Sequence, residues 1–300
     1  MAIILISGGS GLIGTALTSA LLAHGHDVRH LSRARKVEGL ARTFPWNMEV
    51  GEMDRTALEG VDHIVHLAGA AIAEKRWSKA RVRELITSRT ASAQLLLKTC
   101  KEVGVVPKSF VSAAGIGHYG AVTTDHLFVE GDPPGTDTIG WISAEWERAV
   151  DEWSSVCRTV KLRTPMVLAR NAGALKTLGR IARLGIASPL GSGKQTMPWI
   201  HIDDLVQAYI AALLDERWTG AYNIVAAEQP SNAHFMRTLA ATMKRPWIMP
   251  AVPSFVLRAL LGDLSSVLLN GSRASGARAQ ELGFAPRFDR LDSALEDLYA

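Results

Sequence analysis

Three glycines near the start of the chain have the spacing needed to bind a pyrophosphate. An apolar run, Ile3–Ile6, predicts a buried strand, and an apolar helical pattern follows the glycines. In a strand–turn–helix of this kind the first glycine permits the sharp turn, the second lets the backbone approach a pyrophosphate, and the third allows helix and strand to pack closely. The unpaired N–H groups of the first helical turn then attract the anion. The predicted contacts are Gly8, Ser10, Gly11, Leu12, Ile13 and Gly14.

The residues after the second predicted strand indicate which dinucleotide would bind. Residues 28–31 form that strand, and Ser32 and Arg33 follow it, with Arg35 and Lys36 close behind. A site for NAD needs a carboxylate at this position to hold the ribose 2′-hydroxyl. The nearest acid, Asp27, lies before the strand. A guanidinium suits a 2′-phosphate in charge and geometry, so the pattern favours NADP(H). The alternative is a solvated basic loop.

Composition is that of a globular protein and excludes several other classes. The 300 residues are 47% hydrophobic and 21% charged, with a net charge of only +4 from scattered basic residues. We therefore expect a small-molecule substrate and no nucleic-acid partner. The longest apolar stretch near the C-terminus is too short and too charged to span a bilayer, so no membrane partner is expected. Two cysteines without metal spacing suit a reducing, cytoplasmic location and no metal site. A monomer or a homodimer is expected.

Predicted strands alternate with predicted helices over the first 170 residues. Residues 62–69, 110–113 and 160–163 form further strands, and long helical patterns separate them. Such alternation predicts an α/β fold, a Rossmann-type doubly wound parallel sheet. The alternation stops near residue 171, where glycine and proline become frequent. The predicted dinucleotide-binding domain is therefore 1–170 with about 200–230. A smaller, mostly helical cap domain is predicted over about 171–199 and 231–300.

The chain also resembles a known group, the extended short-chain dehydrogenase/reductases, and within it an epimerase-like family with a short C-terminal helical module. The resemblance extends from residue 1 to about 296. It departs from the group at His66, where Asn is frequent, and at Ala70, where Glu is usual. The residues that carry it are Gly8, Gly11, Gly14, Leu67–Gly69, Arg76–Trp77, Ser88–Arg89, Trp146–Glu147, Arg163–Pro165, Gly191–Gly193, Gln195, Pro198–Asp204 and Arg245–Pro246.

The resemblance implies NADP(H) binding and further cofactor contacts. Leu67, Ala68 and Gly69 match the end of a strand that borders the cofactor in this group. Glu84 and Arg89 match positions on a helix beside it, although Glu84 also fits an ion-paired, solvated helical face. Pro165, Met166 and Val167 match the segment that covers the nicotinamide side.

The usual proton relay of the group is absent. These enzymes use a Tyr with a Lys four residues later, one helical turn away, to exchange a proton with substrate. No Tyr in this chain has a Lys four residues later. Counting from Trp146, the two positions fall near Ile139 and Ser143.

Three other side chains are candidates for proton transfer. We expect Ser112 to lie at the carboxyl end of the predicted strand over residues 110–113, where this fold collects its reacting groups. His118 and Tyr119 follow in a glycine-rich loop, and His has the pKa best suited to proton exchange near neutrality. A structural role for these side chains is the alternative. His201, before a helix that Asp203 and Asp204 would cap, is a weaker candidate.

Two hypotheses for function follow. The first is an NADP(H)-dependent oxidoreductase or epimerase that acts on a small carbonyl or hydroxyl compound, such as a sugar derivative. The second is a non-catalytic NADPH-binding redox sensor or scaffold. The missing Tyr–Lys pair favours the second hypothesis. The complete set of predicted cofactor contacts, the polar loop from Ser112 to Tyr119 and the predicted cap favour the first.

Overall fold

The structure is a computed structural model that describes residues 1–33 and 39–299. Its first part alternates strands and helices, as predicted. The elements of this part are β1 (Ile3–Ser7), α1 (Leu12–Ala23), β2 (Asp27–Ser32), β3 (Arg42–Asn47), β4 (Glu52–Met53), β5 (His63–His66), α2 (Lys79–Val103), β6 (Ser109–Gly115), β7 (Leu127–Phe128), α3 (Thr138–Asp151), β8 (Arg158–Thr164), β9 (Met166–Leu168), β10 (Trp199–His201), α5 (Ile202–Leu214) and β11 (Gly220–Asn223).

The remaining elements are mostly helical and are called the cap below. They are α4 (Gly173–Arg183), α6 (Asn232–Thr242), α7 (Ser254–Leu261), α8 (Leu264–Leu269), β12 (Arg273–Ala274), α9 (Ala277–Glu281) and α10 (Leu291–Tyr299). Apolar side chains of α4, α6 and α10, among them Leu175, Phe235 and Leu295, form a further core together with Leu168 of β9 and Trp199 of β10. The exact domain boundaries given above stay a prediction.

The central sheet of the described residues has eight strands in the order β11-β8-β6-β5-β1-β2-β3-β4. All neighbours are parallel except β3 and β4. The chain moves outward from β1 through β2 and β3, then crosses back to β5 on the other side of β1. This reversal creates a crevice at the carboxyl ends of β1 and β5, which is where open α/β sheets bind their ligands.

Both faces of the sheet are covered, so its inner strands are apolar on both sides. Ile4 and Ile6 of β1 pack in the core on the α1 and α5 face. Leu5 between them packs in the opposite core, which lies between the sheet and helices α2 and α3. The doubly wound fold is thus confirmed.

Helix α2 shows how local sequence fixes the element that lies beside the crevice. The Ser78 hydroxyl accepts a hydrogen bond from the Arg81 N–H at its start, and Gly104 ends it with a left-handed φ of 71°. These are the usual signals for a helix start and stop. Helix α3 likewise begins at Thr138 because the Asp137 side chain accepts a hydrogen bond from the Gly140 N–H. No helix in the described part of the chain has the length and apolar character that crossing a membrane requires.

Candidate functional site

The glycine-rich turn brings β1 and α1 together at the crevice. Gly8 has a φ of +75°, and a Cβ there would lie 2.8 Å from the backbone carbon of Leu67. A Cβ on Gly14 would lie 2.6 Å from the Cα of Gly9. Gly11 is far less crowded, since among the described residues outside its own chain neighbours a Cβ there would approach just the Gly8 carbonyl oxygen, at 3.2 Å. The glycines therefore serve a sharp turn, an open approach for a ligand and a close helix–strand contact.

The start of α1 is suited to an anion. Gly11 is the N-cap residue and offers no side chain to the first helical turn. The amide N–H groups of that turn are left for water or a ligand, and the helix dipole favours negative charge there. Ser10 is exposed at this turn, and Leu12 and Ile13 are partly buried. These residues lie together at the crevice.

Within the part of the chain that the structure describes, the end of β2 offers a guanidinium and no carboxylate. Ser32 is the last residue of β2, and the exposed Arg33 follows it directly. Asp27 is the first residue of the same strand, at its amino end, and its carboxylate lies 3.5 Å from Arg29. This arrangement fits a 2′-phosphate rather than a free ribose hydroxyl. Residues 35 and 36, also noted in the sequence, lie outside the described residues.

The residues after β5 line the crevice beside the glycine-rich turn. The Leu67 N–H donates to the Ser7 carbonyl oxygen at 3.0 Å, and the Ala68 N–H lies 3.4 Å from the Ser7 hydroxyl oxygen. Gly69 follows, and a Cβ there would lie 3.0 Å from the guanidinium carbon of Arg89. The three residues expected to border the cofactor thus adjoin the turn expected to hold its pyrophosphate.

The two predicted residues of α2 differ in their surroundings. The Glu84 carboxylate is half exposed and lies 2.9 Å from Arg81, which also donates to the Ala71 carbonyl oxygen. Arg89 is buried, with only 5% of its surface exposed. Its guanidinium donates to the carbonyl oxygens of Leu85 and Ala70, each at 2.9 Å. Glu84 therefore matches the ion-paired helical face, whereas Arg89 supports the segment after Gly69.

The segment after β8 lies on the far side of the crevice. Met166 and Val167 belong to β9, which forms a parallel ladder with β10, and Pro165 joins β8 to β9. Pro165, Met166 and Val167 are each partly buried. The Val167 carbonyl oxygen adjoins Gly173 at the start of α4.

Ser112 does not end its strand, contrary to the sequence expectation. Strand β6 continues for three residues to Gly115, because Ala113, Ala114 and Gly115 keep pairing with β8. The Ser112 hydroxyl is fully buried and lies 3.3 Å from Nδ1 of His66, whose Nε2 lies 2.8 Å from the Ser92 hydroxyl. The side chain therefore belongs to a buried polar chain between the sheet and α2.

His118 and Tyr119 lie close together but are buried in an ionic network. The Tyr119 hydroxyl donates to the Asn223 side-chain oxygen at 2.8 Å and accepts from Arg163 at 2.9 Å. Arg163 also forms two hydrogen bonds, of 2.7 and 3.0 Å, to the buried Glu147 carboxylate, and it lies 3.2 Å from Nε2 of His118. Burial lowers the pKa of His118 and raises that of Tyr119.

Sequence reasoning missed the centre of this network, the Arg163–Glu147 pair. Burial alone would raise the pKa of Glu147, but the hydrogen bonds and charge of Arg163 hold it below its usual value. One signal was available, since a charged residue inside a buried strand needs a buried partner. Which partner it has depends on the packing of α3 against β8.

The positions expected to hold Tyr and Lys lie one turn apart on α3 and face the end of β6. A Cβ on Gly117 would lie 2.6 Å from the Ile139 side chain and 3.3 Å from the Ser143 hydroxyl oxygen. Both residues are buried. The place of the usual proton relay is therefore packed with an aliphatic side chain and a hydroxyl.

His201 contacts the cap. It is 1% exposed, and its ring packs on Phe288 with centroids 4.1 Å apart. Its Nδ1 accepts a hydrogen bond from the Asp203 N–H, so His201, and neither aspartate, caps α5. The Asp204 carboxylate instead accepts from the N–H groups of Arg287 and Phe288.

The cap contacts both walls of the crevice. A Cβ on Gly173, at the start of α4, would lie 3.3 Å from the Leu12 side chain. A Cβ on Gly262 would lie 2.8 Å from Nε of Arg76, and Leu264 packs with the core around Trp77. A dinucleotide-type crevice covered by a small helical cap is the overall arrangement.

This architecture defines a Rossmann-type dinucleotide-binding protein, and comparisons with known proteins specify the family. Residues 4–139 match the NAD dependent epimerase/dehydratase family, and residues 252–298 match a domain of unknown function, DUF1731. Epimerase family protein SDR39U1 of Mus musculus is 33% identical over 99% of this chain and 99% of its own length. Epimerase family protein ML0860 of Mycobacterium leprae is 33% identical over 98% of this chain and 94% of its own length.

Solved structures agree with this relationship. The crystal structure of human epimerase family protein SDR39U1 (isoform 2) with NADPH has a TM-score of 0.87 and 32% identity, and the match covers 99% of both chains. UDP-glucuronic acid 4-epimerase from Bacillus cereus, with 20% identity and a TM-score of 0.81 over 99% of this chain and 98% of its own, shares the fold. The chain belongs to the epimerase family that includes SDR39U1, and the family resemblance seen in the sequence is confirmed.

Proposed function

We propose that this protein binds NADP(H) in the crevice between β1 and β5. The observation that carries the proposal is the glycine-rich turn at the reversal of strand order, which opens α1 without a capping side chain. Arg33 at the end of β2 suits the 2′-phosphate, and among the described residues β2 carries no carboxylate at that end. The human relative, crystallised with NADPH, supports the same cofactor.

The described residues fit the parts of this dinucleotide. The turn from Gly8 to Gly14 would hold the pyrophosphate, and Arg33 and Ser32 would hold the adenosine side. The nicotinamide half would then lie on the other side of β1, beside Leu67–Gly69 and near Pro165–Val167. When bound, the cofactor supplies or accepts a hydride. The chain's own residues orient it and, through the cap, exclude water.

We further propose that the reaction is an oxidation, reduction or epimerisation of a small carbonyl or hydroxyl compound. The support is the cap, which bridges the crevice through the contacts of Gly173 with Leu12 and of Gly262 with Arg76. Clefts under such caps are where small-molecule ligands bind. Proton transfer would have to come from groups other than a Tyr–Lys pair, and Ser112, His118 and Tyr119 remain the named candidates.

A second candidate function is a non-catalytic sensor of the NADPH pool. It is favoured by the burial of all three candidate side chains, since the hydroxyls of Ser112 and Tyr119 and Nε2 of His118 each contact another protein group. The packing of Ile139 and Ser143 against Gly117 favours it as well.

Turnover of substrate separates the two candidates. The purified protein is tested with NADPH and with NADP⁺ against a panel of carbonyl compounds, alcohols and sugar nucleotides. Nucleotide absorbance detects net oxidation or reduction, and NMR of the products detects epimerisation, in which the hydride returns to the substrate. An enzyme converts at least one of these compounds, and Tyr119→Phe or Ser112→Ala then lowers turnover by about 10²–10⁴-fold while NADPH still binds. Full activity in both variants would remove these side chains from the chemistry. Inactivity toward the whole panel, with NADPH bound, would favour the sensor.

A further inference from the structure

Arg89 is a buried cation without an acidic partner. Its two terminal nitrogens donate to backbone carbonyl oxygens, and its guanidinium lies over the Trp146 ring, 4.7 Å from the centroid. Its Nε has no hydrogen-bond partner although it is buried. Among the described residues no Asp or Glu forms an ion pair with it. A buried charge is normally paired, so this one needs a reason.

The charge lies against the floor of the crevice. The Arg89 guanidinium carbon would be 3.0 Å from a Cβ on Gly69, which follows β5. Its field also reaches neighbouring groups. Burial is the main cause that lowers the pKa of His66 to about 3, and the Arg89 charge is the second.

The topology specifies which half of a bound dinucleotide this charge faces. Arg33 at the end of β2 would hold the adenosine side of the dinucleotide, and the start of α1 would hold its pyrophosphate. The nicotinamide ring must then lie on the other side of β1, over β5 and β6, where Arg89 is buried. The nicotinamide ring is positively charged when oxidised and neutral when reduced.

We propose that Arg89 makes this protein bind NADPH in preference to NADP⁺, an inference that rests on the proposed binding of NADP(H). A buried positive charge repels the oxidised ring and leaves the reduced ring almost unaffected. The N–H groups of the guanidinium are already engaged or enclosed, so Arg89 acts through its charge and not by a direct hydrogen bond. At an effective dielectric constant of about 20, repulsion between two unit charges within about 10 Å of each other would be large enough for a tenfold preference.

The test compares the dissociation constants of the full-length protein for NADPH and NADP⁺. We expect NADPH to bind at least tenfold more tightly to the native protein. Arg89→Lys, which keeps the charge, should retain the preference, and Arg89→Met should bring the two constants close to each other. Because Arg89→Met also removes the side-chain donor to the Ala70 carbonyl oxygen, a second variant is needed. Ala70→Glu places a carboxylate beside the guanidinium, keeps its hydrogen bonds, and should also reduce the preference by several-fold.

A matched control is Arg158→Met. This guanidinium is also largely enclosed and donates to three carbonyl oxygens, but it lies at the amino end of β8, away from the crevice. The variant should keep the native preference. Equal affinities in the native protein, or a preference that survives both Arg89→Met and Ala70→Glu, would overturn the role of Arg89 and leave the proposed cofactor intact. Failure of both nucleotides to bind would instead contradict the proposed function itself.

Discussion

Most of the polar side chains discussed near the crevice form hydrogen bonds within the protein. His66, Ser92 and Ser112 form one buried chain, and Arg163 joins Glu147, His118 and Tyr119 in another network. Hydrogen bonds satisfy most of these groups, as burial requires. They tie the sheet to α2 and α3 and thereby hold the floor of the crevice.

The first prediction concerns His66 and the pH dependence of stability. Burial lowers its pKa to about 3, whereas an unfolded His titrates near 6.5. Because the unfolded chain takes up this proton first, stability is complete above pH 6.5 and is lost as pH falls toward 3. Between about pH 6.5 and pH 5, protonation of this one group in the unfolded chain lowers the free energy of unfolding by up to about 2 kcal/mol.

Urea denaturation at about pH 7.5 and about pH 5 measures this loss. The variant His66→Asn removes the titrating group and keeps a polar side chain, so it should lose about 2 kcal/mol less than the native protein on acidification. The matched control His126→Asn changes a half-exposed ring, and this variant should lose as much stability between the two pH values as the native protein does. An unchanged pH dependence in His66→Asn would show that another group controls acid stability.

At the scale of elements, the strand–helix alternation was predictable because its signals are local. The apolar run before Gly8 and the Ser78 and Gly104 caps of α2 each lie within a few residues of the feature they specify. The position of Ser112 within its strand could not be predicted, since the length of β6 depends on its pairing with β8. The ion pair of Arg163 with Glu147 depends likewise on how α3 packs. The glycine-rich turn and the end of β2 could therefore be located from sequence, whereas the surroundings of the catalytic candidates could not.

The second prediction concerns the contact between α1 and the turn. Gly14→Ala adds a methyl group that would lie 2.6 Å from the Cα of Gly9. The turn must shift, so the protein should lose about 1–3 kcal/mol of stability, and its affinity for NADPH should fall as well. Gly131→Ala is the matched control, because nothing lies within 4 Å of a Cβ there. Thermal unfolding and a fluorescence titration give the two values, and native behaviour of Gly14→Ala would show that the close contact is dispensable.

On the scale of the whole molecule, charge is unevenly distributed. Residues 170–202 and 229–262, which include much of the cap, contain nine Lys and Arg and no Asp or Glu. The whole chain has 33 basic and 29 acidic residues, so the remainder is net acidic. The exposed side chains of Lys176, Arg180 and Arg183 lie on α4, whose start adjoins the crevice. A polyanionic ligand approaching the crevice therefore meets a positive field.

The third prediction follows from this field. The association rate constant of NADPH should fall as salt rises, because screening shortens the reach of the charges. The double variant Lys176→Gln/Arg180→Gln should slow association at low salt and match the native rate at high salt. Lys98→Gln, on the exposed face of α2, is the control and should have no effect. Stopped-flow fluorescence measures the rates, and salt-independent association would rule out steering by the cap.

Calorimetric titration with NADPH and NADH measures whether the crevice binds NADP(H) through Arg33. The native protein should bind NADPH at least tenfold more tightly than NADH, because a charge-assisted contact of Arg33 with the 2′-phosphate contributes about 1.5–3 kcal/mol. Arg33→Ala should weaken NADPH binding by about tenfold or more and leave NADH nearly unchanged. Equal affinity of the native protein for the two nucleotides, or no binding of either, would show that the crevice is not an NADP(H) site of this kind.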